Sequence, residues 1–308
     1  MNDAAVLVTG ANGLIGRAVI SRLVAAGRRV VAADVVAPGE NGVPFVQQEL
    51  TDRHRWHEII TRFHVTKVVH AGGISGPMLM QDQPARVCDI NLVGLAALLE
   101  AARIHGLARI VWFSSITAYG NRPDLSPVDE AAPLYPATIY AATKAAGEAL
   151  LMAYHAEHGV DSVALRVASC YGPGRTSACL IRTIIEDALA RRTTAVRDSG
   201  RESRQHIFVD DVVDAAIAAL DAPSLKQRIY NIGPGRMQSL DEIVAEVRKA
   251  VSNASIEVRA DGLGWNMFGV GPLKIDAARR DLGFEPATTL AMGAMRTREW
   301  IESRRGGV

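Results

Sequence analysis

The chain has 308 residues, of which 48% are hydrophobic and 22% charged, a composition that is typical of globular proteins and excludes a disordered chain. The formal net charge is +1 and the aromatic fraction is 5%, so neither a nucleic-acid-binding protein nor a protein of anionic membranes is expected. The length suits an enzyme of two lobes.

The first half of the chain alternates short apolar runs with longer periodic segments. A strand at 6–8 is followed by a helical pattern from Leu14 to Ala26, which Gly27 closes. The apolar runs show no alternation, which is typical of parallel strands buried on both faces. A doubly wound α/β fold is therefore predicted. Its further strands are expected at 30–33, 67–70, 110–113 and 162–165, and its further helices at 91–104 and 139–158.

Beyond residue 167 this rhythm breaks at two turn clusters, 171–174 and 233–235, and another apolar helix opens at 207–211 between them. We expect a smaller C-terminal α/β lobe that closes over the ligand edge of the sheet. The predicted boundaries are a sheet domain at 1–166, to which 205–232 returns, and a substrate lobe made of 167–204 and 233–308.

A glycine-rich turn, Thr9 to Gly16, directly follows the first strand and opens the first helix. Glycines are needed there for a sharp turn, for close approach of a pyrophosphate and for helix–strand packing, and the helix N-terminus favours phosphate. Asp34 ends the second predicted strand, where a carboxylate accepts hydrogen bonds from the adenosine ribose. No Arg or Lys occurs in the next five residues, so NAD is predicted rather than NADP.

Tyr140 and Lys144 lie four residues apart in a predicted helix and therefore share one face. We expect Lys144 and an oxidised nicotinamide to lower the pKa of the phenol, so that Tyr140 exchanges a proton with a substrate hydroxyl. Lys144 is also expected to hold the nicotinamide ribose. Ser115 ends another strand, at the edge where such sheets bind ligands, and is expected to hydrogen-bond the reacting oxygen.

With these motifs the whole chain resembles an extended short-chain dehydrogenase/reductase of the NAD-dependent epimerase/dehydratase family. The resemblance also rests on Asn91-Leu92-Val93-Gly94, Leu165-Arg166, Tyr171-Gly172-Pro173-Gly174, Arg204 with Ile207-Phe208-Val209-Asp210-Asp211, and Tyr230-Asn231-Ile232-Gly233. It implies a Rossmann-type lobe for NAD, a small substrate lobe, catalysis by Ser115, Tyr140 and Lys144, and a homodimer through the helices near 91–104 and 139–158. The NAD-binding residues implied are Gly10, Asn12, Gly13, Leu14, Ile15, Gly16, Asp34, Glu49, Leu50, Ala71, Gly72, Gly73, Asn91, Ser114, Tyr140 and Lys144.

The chain departs from the family pattern at positions that bear on the reaction. Family dehydratases carry an Asp-Glu pair where this chain has Ile116 and Thr117, so dehydration is not expected. Nucleotide-sugar epimerases carry a substrate-contacting Asn where this chain has Ser169. Arg204 matches one diphosphate-binding arginine, but 261–272 holds no basic residue to match the second. Glu49 replaces the usual Asp near the adenine.

The segment Ala168-Ser169-Cys170 is more similar to the uronate dehydrogenases of the family, whose substrates are free sugar acids. Ser115, Ser169, Arg175 and Arg204 are the predicted substrate-binding residues. Arg182 is a further candidate for a carboxylate, although a solvated surface arginine explains it equally well. His70 and His206 are candidates for the cleft wall, although buried structural histidines are commoner.

The sequence thus predicts NAD-dependent oxidation, or transient oxidation during epimerisation, at a hydroxyl-bearing carbon of a sugar or sugar acid. Two alternatives stay open: a nucleotide-sugar 4-epimerase of the UDP-hexose type, and an NAD-binding regulatory protein without catalysis. The three cysteines are scattered, so neither disulfides nor a metal site is expected. No signal-like or membrane-spanning run is present, and a cytoplasmic location is expected.

Overall fold

The computed structural model describes residues 4–37, 42–198, 204–264 and 268–305. Its strands are β1 Ala5–Thr9, β2 Val30–Asp34, β3 Phe45–Gln47, β4 Val65–His70, β5 Arg109–Ser115, β6 Ser162–Val167, β7 Ser169–Tyr171, β8 Thr194–Val196, β9 His206–Phe208, β10 Ile229–Ile232 and β11 Ile256–Val258. Its α-helices are α1 Leu14–Ala25, α2 Arg53–Phe63, α3 Pro84–Cys88, α4 Gly94–His105, α5 Ile139–His158, α6 Leu180–Leu189, α7 Val209–Asp221, α8 Leu240–Arg248, α9 Asp276–Leu282 and α10 Leu290–Arg305.

Within the described residues the main sheet has seven parallel strands in the order β10-β6-β5-β4-β1-β2-β3. Its central strands are buried on both faces, because successive side chains enter different cores. Leu7 and Val31 pack in the core beneath α2, α4 and α5, whereas Val8 and Ala32 pack in the core that includes α1 and α7. The predicted Rossmann-type α/β fold is confirmed.

The helix ends follow from local sequence. Gly27, just beyond α1, has a φ of +69°, and Gly159 closes α5 with a φ of +68°. The Thr138 hydroxyl accepts a hydrogen bond from the Ala141 amide at 3.1 Å, which caps the helix that carries Tyr140. These caps fix where α1 and α5 begin and end, and so fix the side chains that face the sheet edge.

Some elements differ from the sequence-based predictions. β3 and α2 were not predicted, although Asp52 caps α2 and its buried residues Trp56, Ile59 and Ile60 have helical spacing. The helix expected from residue 91 begins instead with a π-helical segment, Asp89–Val93, before α4. β10 lies beside β6 in the main sheet, whereas β9 pairs with β7 outside it. The division into a sheet domain and a substrate lobe stays a prediction.

Candidate active site

A cavity of about 620 Å³ lies at the carboxyl ends of β1, β2, β4, β5 and β6. This is the edge at which open α/β sheets bind ligands. One end is lined by the glycine turn and the ends of β1 and β2, and the other by the segment after β6 and the start of α6. Predicted site residues in its wall are Gly10, Asn12, Gly13, Leu14, Ile15, Asp34, Glu49, Leu50, Ala71, Gly72, Gly73, Ser114, Ser115, Tyr140, Lys144, Ser169 and Arg175.

The glycine turn leaves no room for a side chain. Gly10 has a φ of +64°, and a Cβ there would lie 2.5 Å from the Ala71 carbonyl oxygen. A Cβ on Gly16 would lie 2.1 Å from the Gly10 carbonyl oxygen, so Gly16 serves packing rather than the cavity wall. Gly13 caps α1 and has no side chain that could bond the first amides of the helix. Among the described residues these amides have no side-chain cap, and they are left to bind a ligand. This cradle fits a pyrophosphate.

Asp34 is held in place by two backbone amides at the end of β2. Its Oδ2 accepts from the Asn12 amide at 2.9 Å and its Oδ1 accepts from the Val35 amide at 2.7 Å. Each carboxylate oxygen keeps a further lone pair for a ribose hydroxyl. Glu49 lies in the same wall and pairs with Arg86 at 3.4 Å. The donor set therefore fits the adenosine half of NAD.

Asn91 is set back from the cavity wall and holds the loop after β4. Its Oδ1 accepts from the Ile74 amide at 2.8 Å, and its Nδ2 donates to the Ile74 carbonyl and to the Thr143 hydroxyl, both at 3.1 Å. A Cβ on Gly73 would lie 2.8 Å from Asn91 Oδ1. Asn91 thus ties the loop at 73–74 to the helix that carries Tyr140 and Lys144.

Ser115 lies beside the Tyr140 phenol and acts to lower its pKa, and Thr117 orients the serine. The Thr117 amide and hydroxyl both donate to Ser115 Oγ, at 3.2 and 2.9 Å. Because these bonds use the lone pairs of Ser115, its own hydroxyl proton remains for an oxygen in the cavity, and the Tyr140 phenol is one such oxygen nearby. The position that carries an acid in dehydratases therefore holds a residue that aligns the serine.

Burial raises the pKa of Tyr140, although Ser115 and the Arg175 charge act in the opposite direction. The expected lowering, which depends on Lys144 together with an oxidised nicotinamide, stays a prediction. Lys144 Nζ donates to the Phe113 carbonyl at 2.8 Å and lies 4.7 Å from the Trp112 ring centre. Burial also lowers the pKa of Lys144, to about 8, against the attraction of Glu148.

Glu148, one turn beyond Lys144, anchors a buried network behind the site. It accepts from Arg166 at 2.8 and 2.6 Å and from the Ser114 hydroxyl at 2.5 Å. Both side chains of the Arg166–Glu148 ion pair are 3% exposed, and two parallel bonds fix its geometry. This network joins α5 to the ends of β5 and β6. It therefore holds Tyr140, on α5, close to Ser115, at the end of β5.

The predicted substrate residues fall into two groups. Arg175 lies in the cavity wall, and its guanidinium donates to the carbonyls of Cys170 and, at 3.1 Å, Ala178. Among the residues that the structure describes, its buried Nε has no partner and no carboxylate pairs with its guanidinium. Ser169 also lies in the wall. Arg204 pairs with Asp198 at 2.6 Å and is absent from the described wall of the cavity. Arg182 pairs with Glu186.

Sequence reasoning missed most of the loop residues in the wall and left two histidines undecided. His70 and His206 both line the cavity, and burial lowers their pKa values to about 3 and about 4. Gln48 and the segments 74–79 and 176–180 are among the further residues of the wall. Their only sequence signal is a position just after a strand, which is too common to single them out.

The model of the NAD-dependent epimerase/dehydratase family matches residues 6–233. The chain belongs to this family. A UDP-glucose 4-epimerase of Mycolicibacterium smegmatis is 31% identical, and the alignment covers 97% of this chain and 98% of that one. The crystal structure of a Thermus thermophilus UDP-glucose 4-epimerase with NAD is 28% identical, with a TM-score of 0.85 and coverage of 99% and 100%.

Membership makes the chain an enzyme of the extended short-chain dehydrogenase/reductase type with NAD as its cofactor. The relatives differ in substrate: a partial-consensus L-threonine 3-dehydrogenase is 25% identical, with a TM-score of 0.86 and coverage of 97% and 99%. The fold and the family thus leave the substrate to the residues at the far end of the cavity. No described helix combines the length and the apolar character that crossing a membrane requires.

Proposed function

We propose that this enzyme oxidises a hydroxyl-bearing carbon of a free sugar acid, with Tyr140 as the general base. The observation that carries this proposal is that Tyr140, Ser115 and Lys144 line the same cavity as the glycine turn. NAD supplies the hydride acceptor. Gly10, Gly13 and the first amides of α1 hold its pyrophosphate, and Asp34 holds its adenosine ribose.

Tyr140 acts in its phenolate form, and the proton of the substrate hydroxyl passes to its Oη as the carbon loses its hydride. Ser115, aligned by Thr117, bonds the reacting oxygen as its charge changes. Lys144, fixed on the Phe113 carbonyl, positions the nicotinamide ribose and adds positive charge near the phenol while it is protonated. In the reverse direction the same phenol returns the proton.

A carboxylate is the group that Arg175 is best suited to hold. The guanidinium is fixed by two carbonyls and keeps its full charge, because no acid of the described chain neutralises it. A partly buried cation without a counter-ion favours an anionic ligand. Ser169, next to it in the wall, would bond a neighbouring oxygen of the substrate.

The test is turnover on a panel of sugars and sugar acids with NAD. Accumulating reduced nicotinamide with a sugar acid supports net oxidation, and a new stereoisomer without net reduction supports epimerisation. Tyr140→Phe should bind NAD as the wild type does and lose about 100- to 10,000-fold in rate. NAD binding without turnover of any sugar acid, unchanged in Tyr140→Phe, would instead identify an inert binding protein.

A second candidate is a UDP-hexose 4-epimerase, which the 31% identity to the mycobacterial relative favours. The weakness of this candidate is that the chain offers too few cations to bind the diphosphate of a UDP-hexose. Arg204 is occupied by Asp198, and the sequence from 261 to 272 offers no second cation. UDP-glucose and UDP-galactose therefore belong in the panel, and their interconversion without reaction of any free sugar acid would select this alternative.

We also propose a homodimer through 91–104 and 139–158. Both helices carry exposed apolar side chains, among them Ile104, Ile139 and Met152, which are 53%, 47% and 42% exposed. Met152→Glu should convert a dimer, measured by light scattering, into a monomer. The cytoplasmic location expected from the sequence stays a prediction.

A further inference from the structure

His206, the first residue of β9, is a buried histidine in the cavity wall that no step above uses. Gln238, which is also buried, bonds it through both ends of its side-chain amide, and Gln238 Nε2 donates to the His206 carbonyl at 3.4 Å. Gln238 Oε1 accepts from the His206 backbone amide at 2.8 Å and lies 3.1 Å from Nδ1 of the same residue. The two residues form a rigid unit on the substrate side of the cavity.

This arrangement fixes the position of the ring proton. A backbone amide can only donate, so the Gln238 atom that it meets must be the amide oxygen. That oxygen can only accept, so Nδ1 must carry the proton. Nε2 of the neutral ring then presents a lone pair and acts only as an acceptor.

The ring also stays neutral. Burial lowers the pKa of His206 to about 4, against the Gln238 bond, and the Arg175 and Arg204 charges act in the same direction as burial. Tyr171, whose ring meets His206 edge-on at 6.4 Å, is uncharged because burial raises its pKa. No hydrogen bond joins Nε2 to a described residue, and His206 lines the same cavity as Arg175.

We infer that Nε2 of His206 accepts a hydrogen bond from a hydroxyl of the substrate, beside the anionic group that Arg175 holds. The site therefore selects a hydroxylated acid and rejects the same acid without that hydroxyl. The inference rests on the proposed function for the identity of the anionic group. It assigns His206 as a specificity-determining residue and Gln238 as the residue that positions it.

The kinetic test compares two substitutions of His206. His206→Asn keeps an amide that can donate to Gln238 but has no atom at the position of Nε2, and His206→Phe removes both functions. Both should raise KM for the sugar acid about 10- to 100-fold, because a hydroxyl is left unpaired. kcat should change less than about threefold, and the Kd of NAD should stay the same.

The variant His105→Asn, at an exposed position outside the described wall of the cavity, is the matched control and should leave KM unchanged. A merely structural role of His206 would instead lower kcat, NAD binding and thermal stability together. An unchanged KM in His206→Asn would overturn the inference.

A second measurement does not depend on turnover. Tyr140→Phe protein, ¹⁵N-labelled at histidine and saturated with NAD, is titrated with D-glucuronate, D-galacturonate or acetate. The His206 ring should show a protonated Nδ1 and an unprotonated Nε2, and the Nε2 resonance should move with a sugar acid but not with acetate, which lacks a hydroxyl.

The outcomes separate the two proposals. Oxidation of a sugar acid by the wild type with an unmoved Nε2 resonance overturns the role of His206 and leaves the proposed function intact. A moved resonance without turnover of any sugar acid supports the role of His206 and overturns the proposed function. A protonated Nε2 in the free protein overturns the inference by itself.

Discussion

The two ends of the cavity are built by different means. At the cofactor end the backbone forms the site: the turn between β1 and α1 brings Gly16 and Gly10 so close that a Cβ would meet a carbonyl at 2.1 Å. At the substrate end side chains form the site, and Arg175 and His206 are held by carbonyls and by Gln238. We expect the glycine positions of the cofactor end to tolerate no added side-chain atom. At the substrate end, single substitutions can change which ligand binds.

The largest effect is expected at the cofactor end. Gly16→Ala forces the turn apart, because the obstructing atom belongs to the backbone. We expect the affinity for NAD to fall more than about 100-fold and the free energy of unfolding to fall by about 3 kcal/mol. Calorimetric titration and urea unfolding measure the two effects.

Gly27→Ala is the matched control, since Gly27 has a φ of +69° and no atom within 4 Å of its added Cβ. It should cost about 1 kcal/mol of stability and leave NAD binding unchanged. Equal losses in the two variants would show that the close approach at Gly16 does not matter.

At the substrate end, Arg175→Ala should lower kcat/KM for a sugar acid about 100-fold and leave the Kd of NAD unchanged, because a charge-assisted bond is lost only from the substrate. Arg175→Lys should recover little, since one ammonium cannot span two carbonyls and a carboxylate. Arg192→Ala, at an exposed ion pair with Asp187, is the control. A loss of NAD affinity in Arg175→Ala would contradict the separation of the two ends.

A smaller effect is expected at Asp34. Asp34→Ala removes the acceptor of the ribose hydroxyls and should weaken NAD binding about 10-fold while improving the relative affinity for NADP. Asp34→Asn keeps one acceptor oxygen and loses the charge, so it should retain more of the NAD affinity. Binding of both cofactors is measured by fluorescence titration, and an unchanged NAD-to-NADP ratio would exclude this role of Asp34.

The effect that is smallest at any one step concerns acid stability, because it builds up gradually as the pH falls, and His70 and His206 both contribute to it. His70 and His206 have folded-state pKa values of about 3 and about 4, below the ordinary value of 6.5. Between these values and pH 6.5 the unfolded chain binds more protons, so the free energy of unfolding falls as the pH falls. The slope is at most about 1.4 kcal/mol per pH unit for each histidine.

His70→Gln should therefore lose less stability than the wild type between pH 6.5 and 4, measured by urea unfolding at several pH values. His105→Asn provides the comparison for an exposed histidine. Identical slopes for His70→Gln and the wild type would mean that His70 takes up its proton as readily in the folded chain as in the unfolded chain.

The features that could be predicted from the sequence are those that depend on interactions within one short segment. The glycine turn, the cap at Thr138 and the pair Tyr140–Lys144 were readable because each spans a few residues. The raised pKa of Tyr140 could not be predicted in this way, because desolvation depends on all the segments that cover the phenol. The role of Thr117 was missed for a related reason: its contact to Ser115 depends on how the chain leaves β5.

The sequence by itself determined the parallel α/β fold, the family and the cofactor turn, because hydrophobic periodicity and glycine spacing act over short distances along the chain. Only the tertiary structure separated Arg175, in the cavity wall, from Arg204, which is neutralised by Asp198. It alone brought Gln238 to His206, 32 residues away. Charge pairing and tautomer choice depend on neighbours that the chain supplies only after it has folded.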